Sequence, residues 1–211
     1  MTVVLQAWRE GSKILDFLST LSKAKMIPRS GWISHGIAIQ DVESVAEHSF
    51  STTILALLLS DLELERGQKV NMNRVLRMAL LHDLAETLTF DISKGYLEYL
   101  GKRGKEIKDE VEGAAWKHIL QGVAEPKLRS TYANTQQEFD AEQTLESKIV
   151  HAADRLDIML QVAEYTKRGY PRRLLASLWK SSDHELRSSK IESVRTMHKL
   201  IRTLAKDADS S

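Results

Sequence analysis

The chain has 211 residues, of which 42 % are hydrophobic and 28 % are charged, as is typical of one globular domain with a sizeable core. Its formal net charge is +1, so it lacks the basic excess with which proteins bind a nucleic acid polymer. The absence of cysteine excludes disulfides and thiolate metal sites. We expect neither a signal peptide nor a membrane span, and therefore a cytoplasmic protein.

Apolar residues recur at helical spacing along most of the chain, whereas alternating strand patterns are scarce. The pattern predicts helices over residues 3–25, 45–62, 71–88, 105–120, 141–167 and 183–204, with a short amphipathic piece at 174–179. Pro and Gly mark a loop over residues 26–41. Ser44 and Glu47 match a capping box at the start of the second helix, and Asp183 is expected to cap the last one. The sequence thus predicts an all-α fold and a single domain over residues 1–211.

The helix predicted over residues 71–88 contains three polar side chains in an apolar run: His82, Asp83 and Glu86. On a continuous helix, Glu86 would share a face with both of the others. Burying these groups costs several kcal/mol unless they are paired or bind a cation. A metal ion is the most economical compensation.

Two further helices carry metal-type ligands in apolar surroundings, at His48 and at Asp154. Together with His82 and Asp83 they provide two imidazoles and two carboxylates. Such a mixed set suits Mn²⁺, Fe²⁺, Co²⁺, Ni²⁺ or Zn²⁺ and leaves positions for water and substrate. Each residue alone is more often an ordinary surface or core residue. Their conjunction predicts one exchangeable divalent metal ion.

The same residues resemble a known signature, the H…HD…D pattern of the HD-domain metal-dependent phosphohydrolases: His48, His82, Asp83 and Asp154. The surrounding stretches, residues 43–49 and 80–86, are similar to the branch that includes the 5′-deoxynucleotidases. The resemblance covers residues 10–170 and implies a helical bundle of the HD-domain type. The helices expected over residues 172–206 would belong to the same domain.

The resemblance also implies roles for residues outside the signature. Glu86 would position or deprotonate the attacking water, and Asp91 would contact the sugar or the leaving oxygen or act as an acid. Trp32 looks like the tryptophan with which this branch screens the sugar near its 2′ position. The mechanism also needs a cation to neutralise the phosphoryl oxygens, for which Arg29 is the candidate and Lys94 a second one.

Two positions depart from the pattern of this branch. Phe90 stands where a glycine usually precedes Asp91. Gly31 stands where the bacterial enzymes have an arginine directly before the tryptophan, so that the nearest arginine in this chain is Arg29.

The predicted function is that of a 5′-nucleotidase, which releases phosphate from (2′-deoxy)nucleoside 5′-monophosphates by means of a metal-activated water. A nucleoside triphosphate, a cyclic nucleotide or an alarmone is an alternative substrate for the same site. A metal-stabilised scaffold or nucleotide sensor is the non-enzymatic alternative, but folding has no need for a non-ligating buried carboxylate such as Glu86. We also expect a homodimer, because relatives often dimerise and because Trp179 and the apolar stripe Leu186–Leu204 need burial.

Overall fold

The computed structural model describes the backbone of residues 2–208 and the side chains of residues 11–93 and 95–206. The protein is 77 % helical and the described residues form no strand, which confirms the predicted all-α class. A lone antiparallel bridge joins Pro28 to Ser44. Within this part of the chain, no helix combines the length and the hydropathy that crossing a membrane requires.

The described residues form eleven α-helices and one short 3-10 helix, over Ile39–Asp41. The α-helices are α1 (Thr2–Ala24), α2 (Ser30–Ser34), α3 (Val45–Glu65), α4 (Met72–Leu81), α5 (Glu86–Thr89), α6 (Lys94–Glu98), α7 (Arg103–Gln121), α8 (Pro126–Ala141), α9 (Leu145–Lys167), α10 (Arg172–Arg187) and α11 (Glu192–Ala208).

The start of α3 and the end of α9 lie where the sequence predicts them. Ser44 Oγ accepts a hydrogen bond from Glu47 N at 3.2 Å, and Ser44 N donates to Glu47 Oε2 at 2.7 Å. These two bonds are the predicted capping box, which satisfies backbone donors at the start of α3. At the end of α9, Gly169 adopts a φ of 94°, a left-handed conformation that glycine tolerates without a steric penalty.

The segment predicted as a loop over residues 26–41 contains α2 and the 3-10 helix, and three expectations about helices are wrong. The helix predicted over residues 71–88 ends at Leu81, and a turn precedes α5. The helix predicted from residue 141 begins at Leu145, and a separate helix, α8, precedes it. No side chain of α8 is buried, so its sequence has little apolar periodicity from which it could have been predicted.

The third error concerns Asp183, which lies inside α10 and does not cap the following helix. Its carboxylate accepts hydrogen bonds from Arg187, at 2.5 Å, and from His198 Nε2, at 2.7 Å. An internal ion-pair network therefore explains this residue.

The chain forms two compact units. Unit 1 consists of Met1–Glu47 and Leu81–Gln136. In it, α5 packs against α1 and α7, and α6 packs against α7. Its apolar cluster joins the turn after α4 to the middle of α7: Leu84, Ala85, Ala115, Trp116 and Ile119. The segment that follows His82 and Asp83 is thereby fixed to α7.

Unit 2 consists of His48–Leu80 and Gln137–Ser211. Helix α9 packs against α10 and α11, and its apolar side chains fill the centre of this unit. Leu186, Val194 and Ile201 from the last two helices belong to the same core. These three residues of the C-terminal stripe are therefore buried within unit 2 and need no partner chain.

Candidate functional site

His82 and Asp83 lie in a tight turn directly after α4. Within this turn Leu84 N donates to Leu81 O, and Glu86 N donates to Asp83 O, both at 3.0 Å. Such i→i−3 bonds wind the chain with about three residues per turn, so that residues i and i+3 lie over one another. Asp83 and Glu86 therefore lie on the same side of the chain, as predicted, but the turn and not a continuous helix brings them together.

Arg29 ties this turn to the loop that follows α1. Its Nη1 lies 2.6 Å from Asp83 Oδ2 and 3.4 Å from Glu86 Oε2. The backbone of the loop is fixed by two hydrogen bonds, from Arg29 N to Glu43 O at 3.0 Å and from Val45 N to Ile27 O at 2.9 Å. The guanidinium is thus held beside the two carboxylates by a defined backbone.

A second cation approaches Glu86 from α7. Lys108 Nζ lies 4.0 Å from Glu86 Oε1 and 2.8 Å from Glu112 Oε1. Burial alone would lower the pKa of Lys108, but Glu112, Glu86 and Asp83 outweigh it and raise the pKa above its ordinary value. Lys108 therefore carries its positive charge. Neither Lys108 nor Glu112 was identified from the sequence, since both fit the charged face of an ordinary helix.

Glu86 is a buried carboxylate, with 5 % of its surface exposed. Burial raises the pKa of Glu86 well above its usual range, and Asp83 and Asp91 raise it further, whereas Arg29 and Lys108 act in the opposite direction. A carboxylate with a raised pKa is a stronger base once it is ionised. The environment of Glu86 is that of a buried carboxylate between two cations and not that of a surface ion pair.

His48 and Asp154 meet in unit 2, with His48 Nε2 at 3.2 Å from Asp154 Oδ1. The other ring nitrogen, Nδ1, lies 2.7 Å from Asp157 Oδ2, and Ser51 donates to the second oxygen of Asp157. A carboxylate only accepts hydrogen bonds, so Nδ1 is the donor to Asp157, and Nε2 is the ring nitrogen on the side of Asp154. This is the arrangement by which an outer carboxylate orients a metal-ligating histidine.

Asp157 is a residue that sequence reasoning missed. It lies three positions after Asp154, so the two carboxylates share a face of α9. That spacing is a usable signal, but three-residue spacings of Asp are common on helices, and the partner His48 is 109 residues away in sequence.

The donor atoms fit a divalent ion. Two ligands at about 2.1 Å from an ion are about 3 Å apart when they occupy neighbouring coordination positions. The imidazole and carboxylate of His48 and Asp154 are 3.2 Å apart, and those of His82 and Asp83 are 3.3 Å apart. Each pair therefore has the spacing and the N/O chemistry of two ligands on one metal ion.

The remaining predicted residues occupy different environments. Trp32 is buried, with 3 % of its surface exposed, and its indole Nε1 donates to Glu43 Oε1 at 2.8 Å. Asp91 is half-buried. Lys94 begins α6, but its side chain lies outside the part of the chain that is described.

Phe90 has an unusual backbone conformation, with φ at 60° and ψ at 158°. This region is essentially reserved for glycine. The backbone before Asp91 thus retains the conformation expected of the glycine that usually stands at this position. Phe90 is 67 % exposed, so little burial offsets the strain.

Comparison with known proteins identifies the class. The chain matches the family described as HD domain over residues 21–195, and it therefore belongs to the HD-domain family. The predicted family is confirmed.

Particular relatives share most of its length. A 5′-deoxynucleotidase HDDC2 from Xenopus laevis is 30 % identical over 155 residues, which make up 74 % of this chain and 70 % of that protein. The 5′-deoxynucleotidase hdd1 of Schizosaccharomyces pombe is 30 % identical over 158 residues, 74 % of this chain and 73 % of that protein.

Solved structures agree with this assignment. A conserved hypothetical protein from Pyrococcus furiosus has a TM-score of 0.74 and 28 % identity, covering 90 % of this chain and 99 % of that one. An HD-domain phosphohydrolase from Listeria innocua has a TM-score of 0.75 at 24 % identity, covering 94 % of this chain and 90 % of that one. The second likeness concerns the fold alone.

Proposed function

We propose that this chain is a divalent-metal-dependent 5′-deoxynucleotidase, which hydrolyses 2′-deoxynucleoside 5′-monophosphates to the nucleoside and phosphate. The observation that carries the proposal is Glu86, a buried carboxylate next to the His-Asp pair with a cation close to each of its oxygens. The similarity to relatives named 5′-deoxynucleotidase, over 74 % of the chain, supports the reaction and the substrate class.

Four residues are proposed to hold the ion: His48, His82, Asp83 and Asp154. When bound, a divalent ion lowers the pKa of water from 15.7 to about 7 in the best cases and offsets negative charge on a phosphoryl oxygen. Mixed nitrogen and oxygen ligands accept Mn²⁺, Co²⁺, Fe²⁺, Ni²⁺ or Zn²⁺. We expect Mn²⁺ and Co²⁺ to support activity.

Glu86 is proposed to accept the proton of the attacking water. The upward direction of its pKa shift is the one that makes a carboxylate a stronger general base. Arg29 is proposed to bind a phosphoryl oxygen in addition to orienting Asp83 and Glu86, because a guanidinium carries five N–H donors in a fixed plane. Its charge would stabilise the additional negative charge of the transition state.

The residues around the sugar are proposed from the resemblance. Asp91 would contact the sugar or protonate the leaving 5′ oxygen. Trp32 would provide a rigid wall near the 2′ position, since its ring is buried and its nitrogen is bonded to Glu43. Lys94 is proposed as an additional phosphate contact.

A panel of nucleotides tests the proposal. The metal-free chain is supplied with Mn²⁺ or Co²⁺ and assayed on mono-, di-, tri- and cyclic nucleotides, with separate detection of phosphate, pyrophosphate and triphosphate. We expect phosphate release from dAMP, dGMP or dCMP, with the ribonucleotides cleaved more slowly. Release of pyrophosphate or triphosphate, or cleavage of cyclic nucleotides alone, would refute the proposed substrate class.

Two variants separate catalysis from metal binding. Asp83→Ala should abolish both metal binding and turnover. Glu86→Gln should retain metal affinity but lose about 10²–10⁴-fold in kcat, the usual contribution of general acid–base catalysis. A chain that turns over no nucleotide, and whose Glu86→Gln variant binds metal normally, would instead be a metal-stabilised scaffold or sensor.

We further propose that the protein works in the cytoplasm as a homodimer. The stripe Leu186–Leu204 no longer requires this, because its central side chains are buried within unit 2. Another apolar face remains exposed on α3, where Phe50, Ile54 and Leu58 recur every four residues and are 69 %, 49 % and 43 % exposed. A solution mass of 23.9 kDa by light scattering, the mass of one chain, would refute the dimer.

A further inference from the structure

We propose that Lys108, anchored by Glu112, is a positioning residue that holds the Glu86 carboxylate in place for catalysis. The inference rests on the proposed function, because it assigns Lys108 a role in the reaction for which Glu86 is the base. Neither Lys108 nor Glu112 belongs to the HD signature or to the residues predicted from it.

The two oxygens of Glu86 face two different cations. Oε2 lies 3.4 Å from Arg29 Nη1, and Oε1 lies 4.0 Å from Lys108 Nζ. A separation of 4.0 Å is too long for a hydrogen bond, but within a buried environment it allows a substantial Coulomb attraction. Lys108 therefore restrains Glu86 electrostatically without blocking the oxygen that must accept a proton.

Glu112 fixes the position of the ammonium group. It lies one turn after Lys108 on α7, and its Oε1 is 2.8 Å from Lys108 Nζ. A lysine side chain has many rotamers, so an ion pair on the same helix reduces the freedom of its charged end. The Lys108 ammonium is thus closer to Glu112, which anchors it, than to Glu86, the carboxylate proposed to react.

The same helix face also fixes the backbone of Glu86. Two and three turns after Lys108, Ala115 and Ile119 pack against Leu84 and Ala85 in the turn that leads to Glu86. The α7 helix thus sets both the position of the Glu86 backbone and the position of the cation beside its side chain. A shift of either would move the base relative to the attacking water, and misplacement of a catalytic group by about 1 Å costs up to about 10²-fold in rate.

The two cations beside Glu86, Arg29 and Lys108, differ in their other contacts. Arg29 contacts Asp83 as well as Glu86, and it is the proposed phosphate contact. Lys108 pairs with Glu112 and Glu86. When a phosphate draws the Arg29 guanidinium toward itself, Lys108 still provides a positive charge beside Glu86.

Steady-state kinetics of the metal-loaded full chain on dAMP test the inference. Lys108→Met should lower kcat by about 10–100-fold, part of the contribution of general-base catalysis. KM and inhibition by inorganic phosphate should stay within about twofold, because Lys108 acts on Glu86 and not on the substrate. Lys108→Arg should restore most of kcat, and Lys105→Met, on an exposed position of the same helix, should behave as wild type.

Glu112→Gln is the second variant, and it also serves if Lys108→Met fails to fold. It should lower kcat with KM unchanged, and it should cause no further loss when added to Lys108→Met, because Glu112 acts through Lys108. Thermal unfolding and calorimetric Mn²⁺ titration of each variant separate these effects from loss of structure or of metal.

Other results would contradict the positioning role of Lys108 or the proposed function. A Lys108→Met variant with normal kcat and a raised KM would make Lys108 a substrate contact and overturn the positioning role. Failure of Lys108→Arg to restore kcat, or an independent loss from Glu112→Gln in the double variant, would overturn it as well. An inactive wild-type chain would overturn the proposed function itself, whereas these outcomes in an active wild type overturn the present inference alone.

Discussion

Replacement of Asp157 by Asn should weaken metal binding although Asp157 is not a proposed ligand. Its carboxylate lies 2.7 Å from Nδ1 of His48, and both side chains are almost completely buried. Asn keeps the shape of the side chain but removes its charge, and a charge-assisted hydrogen bond is about twice as strong as a neutral one. Outer partners of this kind contribute about 10–100-fold in metal affinity, which corresponds to about 1.4–2.7 kcal/mol.

Calorimetric titration of the metal-free chain with Mn²⁺ measures this effect directly. Asp183→Asn is a matched control, because Asp183 Oδ1 also lies 2.7 Å from a nitrogen of a buried histidine, His198. The control should lose stability but keep its Mn²⁺ affinity within about twofold. Wild-type affinity in Asp157→Asn would refute the argument that Asp157 orients His48 for the metal, and an equal loss in both variants would attribute the effect to general destabilisation.

Three further predictions concern stability and metal dependence. Phe90→Gly should raise the free energy of unfolding by about 1 kcal/mol, since a residue held in the positive-φ conformation of Phe90 stores about 1–3 kcal/mol of strain. Phe90→Ala should not raise it, and urea titrations of both variants test this. Burial alone would raise the pKa of Asp183, but hydrogen bonds from His198 and Arg187 and the charge of Arg202 lower it. The ionised carboxylate therefore stabilises the fold at a pH above the pKa that Asp183 has in the unfolded chain. This stabilisation is lost as the pH falls through the lower pKa of the folded state. The wild-type unfolding free energy should then decline more steeply below about pH 4 than that of Asp183→Asn, and parallel declines would contradict this. Chelation should abolish phosphate release, and Mn²⁺ or Co²⁺ should restore it; activity that survives complete metal removal would refute the metal-dependent mechanism.

Local sequence signals were sufficient for most of the helical framework. Ser44 and Glu47 predicted the start of α3 because a capping box is formed by residues three positions apart. The predicted helix end at residue 167 is also the end of α9, where Gly169 adopts a conformation that glycine tolerates without strain. Family membership also followed from residue types and their order along the chain.

The interruption of the helix at Leu81 could not be read from the sequence. Residues 82–88 contain neither Gly nor Pro, and their apolar pattern favours a continuous helix. The turn is held by partners from elsewhere in unit 1: Arg29 binds Asp83 and Glu86, and Leu84 packs against α7. Tertiary contacts of this kind override local helix propensity.

The sequence by itself determined the fold class and the family, and from them the identity of the residues expected at the metal. Only the tertiary structure decided which charged groups lie beside the proposed site residues: Asp157 next to His48, and Arg29 and Lys108 near the two oxygens of Glu86. The physical reason is that periodicity and capping report interactions between residues within one or two helical turns. A hydrogen bond between residues 109 positions apart leaves no trace in either signal.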